Sequence, residues 1–270
     1  MILFPNAKIN LGLNILRKRE DGFHDLETIF YPINWNDILE IHESDHLEFI
    51  STGLEIKGDL EDNLCLKAYR LIQKDFGIGN VRIHLHKNIP MGAGLGGGSA
   101  DASFTLIGLN QLFQLNLSET ALIKYAELLG SDCAFFIKNK PCLGSERGNI
   151  LEEIPVSLKE YYIVLVYPNV LISTQKAYSG VIPKIPKTSL KARIVEQVET
   201  WEFSIENDFE ISIFKDFPEL KKIKEILYEN GAVYAAMSGS GSTMFGIFKS
   251  NPNLKKKFPN YVYFETILTH

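Results

Sequence analysis

Alternating apolar and polar residues near the start of the chain predict its first long strand. Residues 7–15 read A-K-I-N-L-G-L-N-I, a period of two that sends successive side chains to opposite faces. The apolar face would carry Ala7, Ile9, Leu11, Leu13 and Ile15, and the polar face Lys8, Asn10, Gly12 and Asn14. A lysine on the polar face of a strand is usually solvated, and this stretch alone favours that interpretation of Lys8.

The next hundred residues predict more strands and one amphipathic helix. Strands are expected at residues 26–33, in two runs within 37–51 that resemble a meander, and at 81–86. Residues 64–75 have apolar side chains at helical spacing, with Asp62 or Asn63 as the expected cap. His84 and His86 would share one strand face, where a sheet surface explains them better than a metal site because no third ligand is near.

The second half of the chain alternates helical and strand-like segments. Helices are expected from the glycine-rich segment to about Phe113, at 118–129, as a turn at 173–178, and at 190–198 and 218–229. Strands are expected at 161–167 and on both sides of a Ser/Gly loop within 233–245, which is also typical of a hairpin turn. Asp132 either caps a further helical turn or has a functional role. A composition shift near Pro155 predicts two domains, 1–154 and 155–270.

Composition narrows the class of protein. The 270 residues are 45% hydrophobic and 23% charged, values typical of a globular protein with an ample core. A formal net charge of −5 argues against broad nucleic-acid binding, and no apolar run approaches the length of a membrane span. Three cysteines without a C-x-x-C spacing suggest neither a disulfide framework nor a zinc site. We therefore expect a cytoplasmic protein that binds neither nucleic acid nor membrane.

A glycine cluster after the strand at 81–86 predicts an anion site. Lys87 to Ser103 reads K-N-I-P-M-G-A-G-L-G-G-G-S-A-D-A-S, followed by helical spacing of apolar residues. Glycines leave backbone amides accessible, and the helix start adds unpaired N–H groups and the positive end of a dipole. The dinucleotide-binding pattern fails because a second helix follows the first, and the P-loop pattern fails because Gly97 precedes Gly98 and not a lysine. A flexible hinge remains the plainer alternative.

Three separated motifs resemble the signatures of the GHMP small-molecule kinases. They are P-N-A-K-I-N-L-G-L at 5–13, P-M-G-A-G-L-G-G-G-S-A at 90–100 and A-M-S-G-S-G-S-T at 236–243. Five more motifs are similar to the members that phosphorylate 4-diphosphocytidyl-2-C-methyl-D-erythritol in the non-mevalonate isoprenoid route: D-G-F-H at 21–24, E-D-N-L at 61–64, G-S-D at 130–132, S-T-Q-K-A-Y at 173–178 and N-D-F-E at 207–210. The resemblance implies a two-domain α/β (α+β) fold, with an N-terminal domain like the second domain of ribosomal protein S5, a ferredoxin-like C-terminal domain, and ATP and substrate meeting in the cleft between them.

The resemblance also implies roles for individual residues. Lys8 and Asp132 would be catalytic, transferring the γ-phosphate of ATP to the 2-hydroxyl of the methylerythritol unit. The ATP-binding positions would be Asn63, Lys87, Pro90, Met91, Gly92, Ala93, Gly94, Leu95, Gly96, Gly97, Gly98, Ser99, Gly239 and Gly241. Substrate contacts would come from Asn10, from Phe23 and Tyr178 stacking on the cytosine, and from His24 at its edge. No dedicated protein ligand for Mg²⁺ is evident, so the ATP phosphates with Ser99 or water would hold it.

Two departures from the family pattern and several alternatives remain. Phe23 stands where relatives often have tyrosine, and G-S-E-R-G-N at 144–149 replaces a shorter glycine-rich turn. The alternatives are a GHMP kinase for another alcohol such as homoserine or mevalonate, a nucleotide-binding regulator without catalysis, and, least favoured, a Rossmann oxidoreductase. The expected partners are ATP and the cytidine diphosphate alcohol, and the expected state is a monomer or weak homodimer.

Overall fold

The computed structural model describes residues 1–269, which divide into two compact units interleaved along the chain. Unit 1 contains Met1–Ala7, Trp35–Met91 and Gly96–Lys140, and unit 2 contains Lys8–Asn34, Gly92–Leu95 and the residues from Pro141 onward. This division differs from the expected domains 1–154 and 155–270. The physical reason is strand pairing, because strands within residues 6–36 share a sheet with strands within residues 142–153.

Strands and helices are distributed along the whole described chain. In chain order the strands are β1 (Ile2–Leu3), β2 (Asn6–Lys18), β3 (His24–Asn36), β4 (Ile38–Glu43), β5 (Glu48–Gly53), β6 (Val81–Lys87), β7 (Cys142–Ser145), β8 (Ile150–Glu153), β9 (Tyr162–Tyr167), β10 (Tyr234–Met237), β11 (Met244–Phe248) and β12 (Val262–Ile267). The helices are α1 (Leu64–Phe76), α2 (Gly97–Leu112), α3 (Glu119–Leu129), α4 (Cys133–Lys138), α5 (Thr174–Ser179), α6 (Leu190–Ile194), α7 (Trp201–Ser204), α8 (Glu210–Asp216) and α9 (Pro218–Glu229). Strands and helices stand at nearly all the positions that the sequence predicts. The exceptions are α6, which ends at Ile194 and not near residue 198, and the unpredicted β1, α7, α8 and β12. Residues 141–154, where the sequence predicts one short strand, contain both β7 and β8.

Unit 1 is built on a sheet in the order β1-β4-β6-β5. Strand β4 pairs antiparallel with β6, while β5 pairs parallel with the other edge of β6. The expected meander of β4 and β5 is therefore wrong. Strands β5 and β6 are joined through α1, and a parallel pair needs such a long crossover because a tight turn can only reverse the chain. Buried side chains of β4, β6, α1 and α2 form the core of this unit.

Unit 2 contains two sheets, in the orders β2-β3-β7-β8 and β10-β11-β9-β12. The second sheet is antiparallel throughout, and α9 packs its buried Leu220, Ile223 and Leu227 into the core of this unit. Strands β10 and β11 pair antiparallel from Tyr234–Ile247 to Met237–Met244, so the Ser/Gly segment between them is a loop connecting two strands, as predicted.

Strand β2 is buried on both of its faces from Asn6 to Ile15. The alternation of the sequence correctly predicts the strand, but the solvated interpretation of Lys8 is wrong, since only 3% of this residue is exposed. Asn10 and Asn14 on the same face are buried as well. Polar groups buried in this way need partners, and their partners define the site in unit 2.

Candidate active site

Lys8 and Asn10 are joined in a chain of buried hydrogen bonds within unit 2. The Nζ of Lys8 donates to Oδ1 of Asn10 at 2.6 Å, and Nδ2 of Asn10 donates to the Thr28 hydroxyl at 2.9 Å. That hydroxyl donates to the carbonyl oxygen of Gly12 at 2.7 Å, so it accepts from Asn10. The chain fixes the Asn10 amide with its oxygen toward Lys8, and it holds the ammonium in one orientation. Thr28 carries no signal of this role in the sequence.

The Ser/Gly loop between β10 and β11 lies next to the side chains of Lys8 and Asn10. A Cβ added to Gly239 would lie 3.1 Å from Oδ1 of Asn10 and 3.7 Å from Nζ of Lys8. Three of the predicted site residues therefore lie together in unit 2: Lys8, Asn10 and Gly239. Gly241 belongs to the same loop, and its N–H donates to the carbonyl of Ser238 at 3.0 Å.

The first half of the glycine-rich segment packs against this loop. The Ser238 hydroxyl donates to the carbonyl of Gly94 at 2.8 Å, and the Thr243 N–H donates to that of Ala93 at 3.2 Å. Gly94 has φ +80°, and a Cβ on it would lie 2.1 Å from the Ser238 carbonyl oxygen. Only glycine fits there, because real Cβ atoms essentially never approach within 3.0 Å. The close packing holds the backbone of residues 92–95 in place, with Leu95 accepting from the Lys8 N–H at 2.9 Å.

The second half of the segment opens helix α2 in unit 1. Gly96 is its N-terminal flanking residue and has no side chain that could cap the helix, and Gly97, Gly98 and Ser99 form the first turn. A 16-residue helix that starts on glycines presents its first N–H groups without a side chain over them, which is the arrangement that binds phosphate. These residues fit the triphosphate that the sequence predicts here.

Lys87 lies beneath that helix start with its ammonium buried. It forms ion pairs with Asp37 and, at 2.7 Å, with Asp101, and a Cβ on Gly97 would lie 2.9 Å from its Nζ. Burial opposes the charge of Lys87, but the two carboxylates more than offset it and raise its pKa. Burial raises the pKa of Asp101 to about 7, even though Lys87 acts in the opposite direction. The structure thus places Lys87 in a buried ion cluster that the sequence does not indicate.

The ion cluster also fixes the chain that leads into the glycine loop. Oδ1 of Asp37 accepts the N–H groups of Asn88 at 2.6 Å and of Ile89 at 2.8 Å. Pro90 and Met91 follow these two anchored residues directly. Asp37 therefore holds the end of β6, and Asp101 reaches the same ammonium from α2.

A cavity of about 300 Å³ in unit 1 adjoins the helix start. Its lining includes Asn63, Met91 and Gly98, all predicted to bind ATP, together with apolar side chains such as Phe49 and Leu64. Largely apolar walls with a few polar groups are typical of small-ligand pockets, and about 300 Å³ is the lower end of their usual size. Asn63 also caps α1, since its Oδ1 accepts the Cys65 N–H at 2.9 Å.

Asp132 lies in unit 1 at the start of the short helix α4. It occupies the N-terminal flanking position, but its side chain makes no capping hydrogen bond to the helix. The predicted helical turn is therefore present, while capping does not account for the carboxylate.

Two of the residues predicted to contact the cytosine, His24 and Tyr178, have their rings in contact in unit 2. The rings of His24 and Tyr178 stack with centroids 4.9 Å apart and planes at 23°, and Tyr178 packs edge-to-face on Phe209 at 4.9 Å. Burial, helped by the nearby Lys18, lowers the pKa of His24, which favours the neutral imidazole. A neutral imidazole can both donate and accept a hydrogen bond at the edge of a base.

Phe23 directly precedes His24 in the chain and lies at the surface, with 55% of the residue exposed. The Arg147 guanidinium lies 5.1 Å from the centroid of its ring. The loop at 144–149, whose contacts the sequence leaves open, thus brings a cation to Phe23. Arg147, Phe209 and Asp37 are residues that the sequence reasoning missed, although Phe209 lies within the N-D-F-E motif.

Two further predictions concern metals and membranes. Over residues 1–269 no group of three or more His, Cys, Asp or Glu side chains is arranged to hold a metal ion. His84 and His86 both contact the Thr52 hydroxyl, at 2.9 and 3.0 Å. No helix in the described part of the chain has the length and apolar character to cross a membrane.

Comparison with known proteins places these features in a family. The family model for the GHMP kinases N terminal domain matches residues 63–140, and that for the GHMP kinases C terminal matches residues 198–260. A curated relative from Bacteroides fragilis, named 4-diphosphocytidyl-2-C-methyl-D-erythritol kinase, is 51% identical over 95% of both chains. The Cytophaga hutchinsonii relative of the same name is 47% identical over 93% of this chain and 94% of its own.

A solved structure agrees with these relatives over the whole chain. The crystal structure of a 4-(cytidine 5'-diphospho)-2C-methyl-D-erythritol kinase superposes with a TM-score of 0.86 at 29% identity, covering 100% of both chains.

Proposed function

The chain belongs to the GHMP kinases and, within them, to the 4-diphosphocytidyl-2-C-methyl-D-erythritol kinases, and from this premise we propose how its residues perform the reaction. The enzyme transfers the γ-phosphate of ATP to the 2-hydroxyl of this cytidine diphosphate alcohol, a step toward isoprenoid precursors. The observation that carries the proposal for the site is the buried group of Lys8, Asn10 and Gly239 in unit 2.

ATP is held by the glycine-rich segment and the cavity next to it. The first N–H groups of α2 and the open backbone at 92–98 bind the phosphates, because unpaired amides and the positive helix end attract anions. The cavity lined by Asn63, Met91 and Gly98 takes the base, with apolar walls for the ring faces. Gly239 and Gly241, in the third motif at 236–243, lie near the transferring phosphate when ATP is bound.

Lys8 and Asp132 act on the acceptor hydroxyl. Asp132 accepts the proton of the 2-hydroxyl while the oxygen of that hydroxyl bonds to the γ-phosphorus of ATP. ADP leaves with the electron pair of the broken P–O bond. Lys8 offsets the negative charge that develops on the transferring group, and Asn10 keeps the ammonium in position. General-base help of this kind contributes about a hundred- to ten-thousandfold to the rate.

The aromatic group selects the cytidine. Tyr178 and Phe23 stack on the faces of cytosine, and the neutral His24 hydrogen-bonds its edge. Each aromatic stack on a base contributes about 1–3 kcal/mol. His24 stacks on Tyr178 in this structure, so cytosine displaces or extends an existing stack.

Mg²⁺ would accompany ATP and be held mainly by its phosphates, and the Ser99 hydroxyl or water would supply further oxygen ligands. When bound, the ion neutralises phosphate charge during the transfer. Ser99 is in the first turn of α2, close along the chain to the glycines that bind the phosphates, and a hydroxyl is a suitable oxygen ligand. Cys65, Cys133 and Cys142 are buried, which fits action in the reducing cytoplasm, and we expect a monomer or weak homodimer.

The test is an assay of ADP formation with a panel of alcohols. We expect turnover with 4-diphosphocytidyl-2-C-methyl-D-erythritol and at most trace activity with homoserine, mevalonate or the alcohol without its cytidine diphosphate. Faster turnover of a cytidine-free alcohol than of the cytidine diphosphate alcohol would contradict the assigned substrate. Nucleotide binding without turnover of any alcohol would indicate a regulator.

A further inference from the structure

The N-D-F-E motif at 207–210 joins strand β2 to the Ser/Gly loop of unit 2. Asn207 is buried and forms a bridge with Leu13. The Leu13 N–H donates to the carbonyl of Glu206 at 2.9 Å, and the Asp208 N–H donates to that of Leu13 at 2.8 Å. The motif therefore pairs with the strand that carries Lys8 and Asn10.

The Asn207 side chain uses all of its hydrogen-bonding groups on backbone. Its Nδ2 donates to the carbonyls of Met237 and Gly239, both at 2.8 Å, and its Oδ1 accepts the Phe209 N–H at 3.0 Å. Two carbonyl acceptors require an NH₂ group between them, so this orientation of the amide follows from its neighbours. The asparagine side chain suits this place because its NH₂ group donates to the two carbonyls and its oxygen accepts the one N–H.

The two carbonyls held by Asn207 are at the start of the loop that adjoins Lys8. Gly239 is the loop residue nearest Lys8 and Asn10, as the distances from its added Cβ show. Between Met237 and Gly239 lies Ser238, which donates to Gly94 in the glycine-rich segment. Asn207 thus sets the backbone of the residues that contact both the ammonium and the phosphate-binding loop.

The other members of the motif strengthen the same junction. Asp208 accepts the Ile15 N–H at 2.8 Å, and Glu210 accepts the Met237 N–H at 2.7 Å while it pairs with Lys224 at 2.6 Å. Met237 therefore has its carbonyl bound by Asn207 and its N–H bound by Glu210. The loop leaves β10 from a residue whose backbone is fixed on both sides.

We propose that Asn207 is a positioning residue for phosphoryl transfer, acting through the backbone of residues 237–239 to hold the third loop against Lys8 and Asn10. The inference rests on the proposed function and adds to it a residue that is outside the three GHMP motifs. Its effect on the reaction would be on the rate of transfer, because a displacement of about 1 Å at reacting groups can lower that rate by about a hundredfold.

The informative variant is Asn207→Asp, which keeps the size and the Oδ1 acceptor but puts a carboxylate oxygen against two carbonyls. We expect kcat to fall by about ten- to a hundredfold with the KM values for ATP and the alcohol within about threefold of wild type. Asn230→Asp is the matched control, because Nδ2 of Asn230 also donates to a carbonyl, that of Ile226 at 2.7 Å, away from the loop. Equal kcat in the two variants would overturn the inference, as would a loss expressed only in the KM values.

Two further measurements separate positioning from general destabilisation. If Asn207 acts through Gly239, the double variant Asn207→Asp/Gly239→Ala will have a smaller fold-loss in kcat than the product of the two single-variant fold-losses. A fold-loss equal to that product would overturn the proposal. Hydrogen exchange without substrates should be faster at the Ser238 and Gly241 amides in Asn207→Asp than in wild type or Asn230→Asp, and unchanged exchange would also overturn it. This last readout needs no turnover, so a wild type inactive toward the alcohol would contradict the proposed function alone.

Discussion

Replacing Gly94 with alanine tests whether the close packing of the two loops in unit 2 is required for catalysis. The added Cβ would lie 2.1 Å from the Ser238 carbonyl oxygen, where at least 3.0 Å is needed, so the backbones must separate by about 1 Å. A further penalty of about 1–2 kcal/mol comes from the φ of +80°, which a side chain disfavours. The separation would break the Ser238–Gly94 hydrogen bond and move Gly239 away from Lys8.

Gly231→Ala is the control variant, because it has the conformational penalty of a positive φ without a steric clash. Gly231 has φ +92° in the same unit, and a Cβ on it would meet nothing within 4 Å. We expect Gly231→Ala to lose about 1–2 kcal/mol of unfolding free energy and Gly94→Ala to lose more than that, because the clash adds to the same backbone penalty. Gly94→Ala alone should lose about a hundredfold in kcat. Denaturant unfolding and steady-state ADP formation measure the two quantities. If kcat of Gly94→Ala stays within threefold of that of Gly231→Ala, the packing of these loops does not position the reacting groups.

Three other variants test separate parts of the site. Asp132→Asn should lower kcat by about a hundred- to ten-thousandfold, because an amide cannot accept the proton of the hydroxyl; a near-normal kcat would exclude Asp132 as the base. Tyr178→Ala should raise the KM for the cytidine diphosphate alcohol by about five- to a hundredfold while Tyr178→Phe stays near wild type, and equal KM values in both would remove the stacking role. Asp101→Asn tests the ion cluster, because the pKa of Asp101 is raised from 3.8 to about 7. The wild type should therefore lose unfolding free energy relative to the variant as the pH rises from about 4 to 7. Parallel profiles of unfolding free energy against pH would contradict that shift.

Local patterns predict elements well but predict their partners poorly. The alternation at 7–15 and the helical spacing at 64–75 correspond to β2 and α1, since each pattern reflects one element and its own buried face. The expected meander failed because pairing depends on the whole connection, and α1 lies between β5 and β6. The interleaved units have the same origin, since β2 and β3 share a sheet with β7 and β8, far along the chain.

The candidate site shows the same limit at the level of side chains. The motifs point to Lys8 and Asn10, but alternation alone would have left both in solvent. Thr28, Asp37 and Asn207 act through hydrogen bonds to backbone or side chains far along the chain, and no spacing rule in a sequence encodes such bonds. They become visible only when each buried polar atom is traced to its partner.

The identity of the hydroxyl that receives the phosphate defines the reaction of this enzyme. Phosphorus NMR of the product formed from ATP and 4-diphosphocytidyl-2-C-methyl-D-erythritol measures this directly. We predict one new phosphomonoester signal, with the carbon coupling placing it at the 2-hydroxyl and the diphosphate signals of the cytidine moiety retained. A phosphate at another hydroxyl, or release of inorganic phosphate without a phosphorylated alcohol, would contradict the assigned reaction.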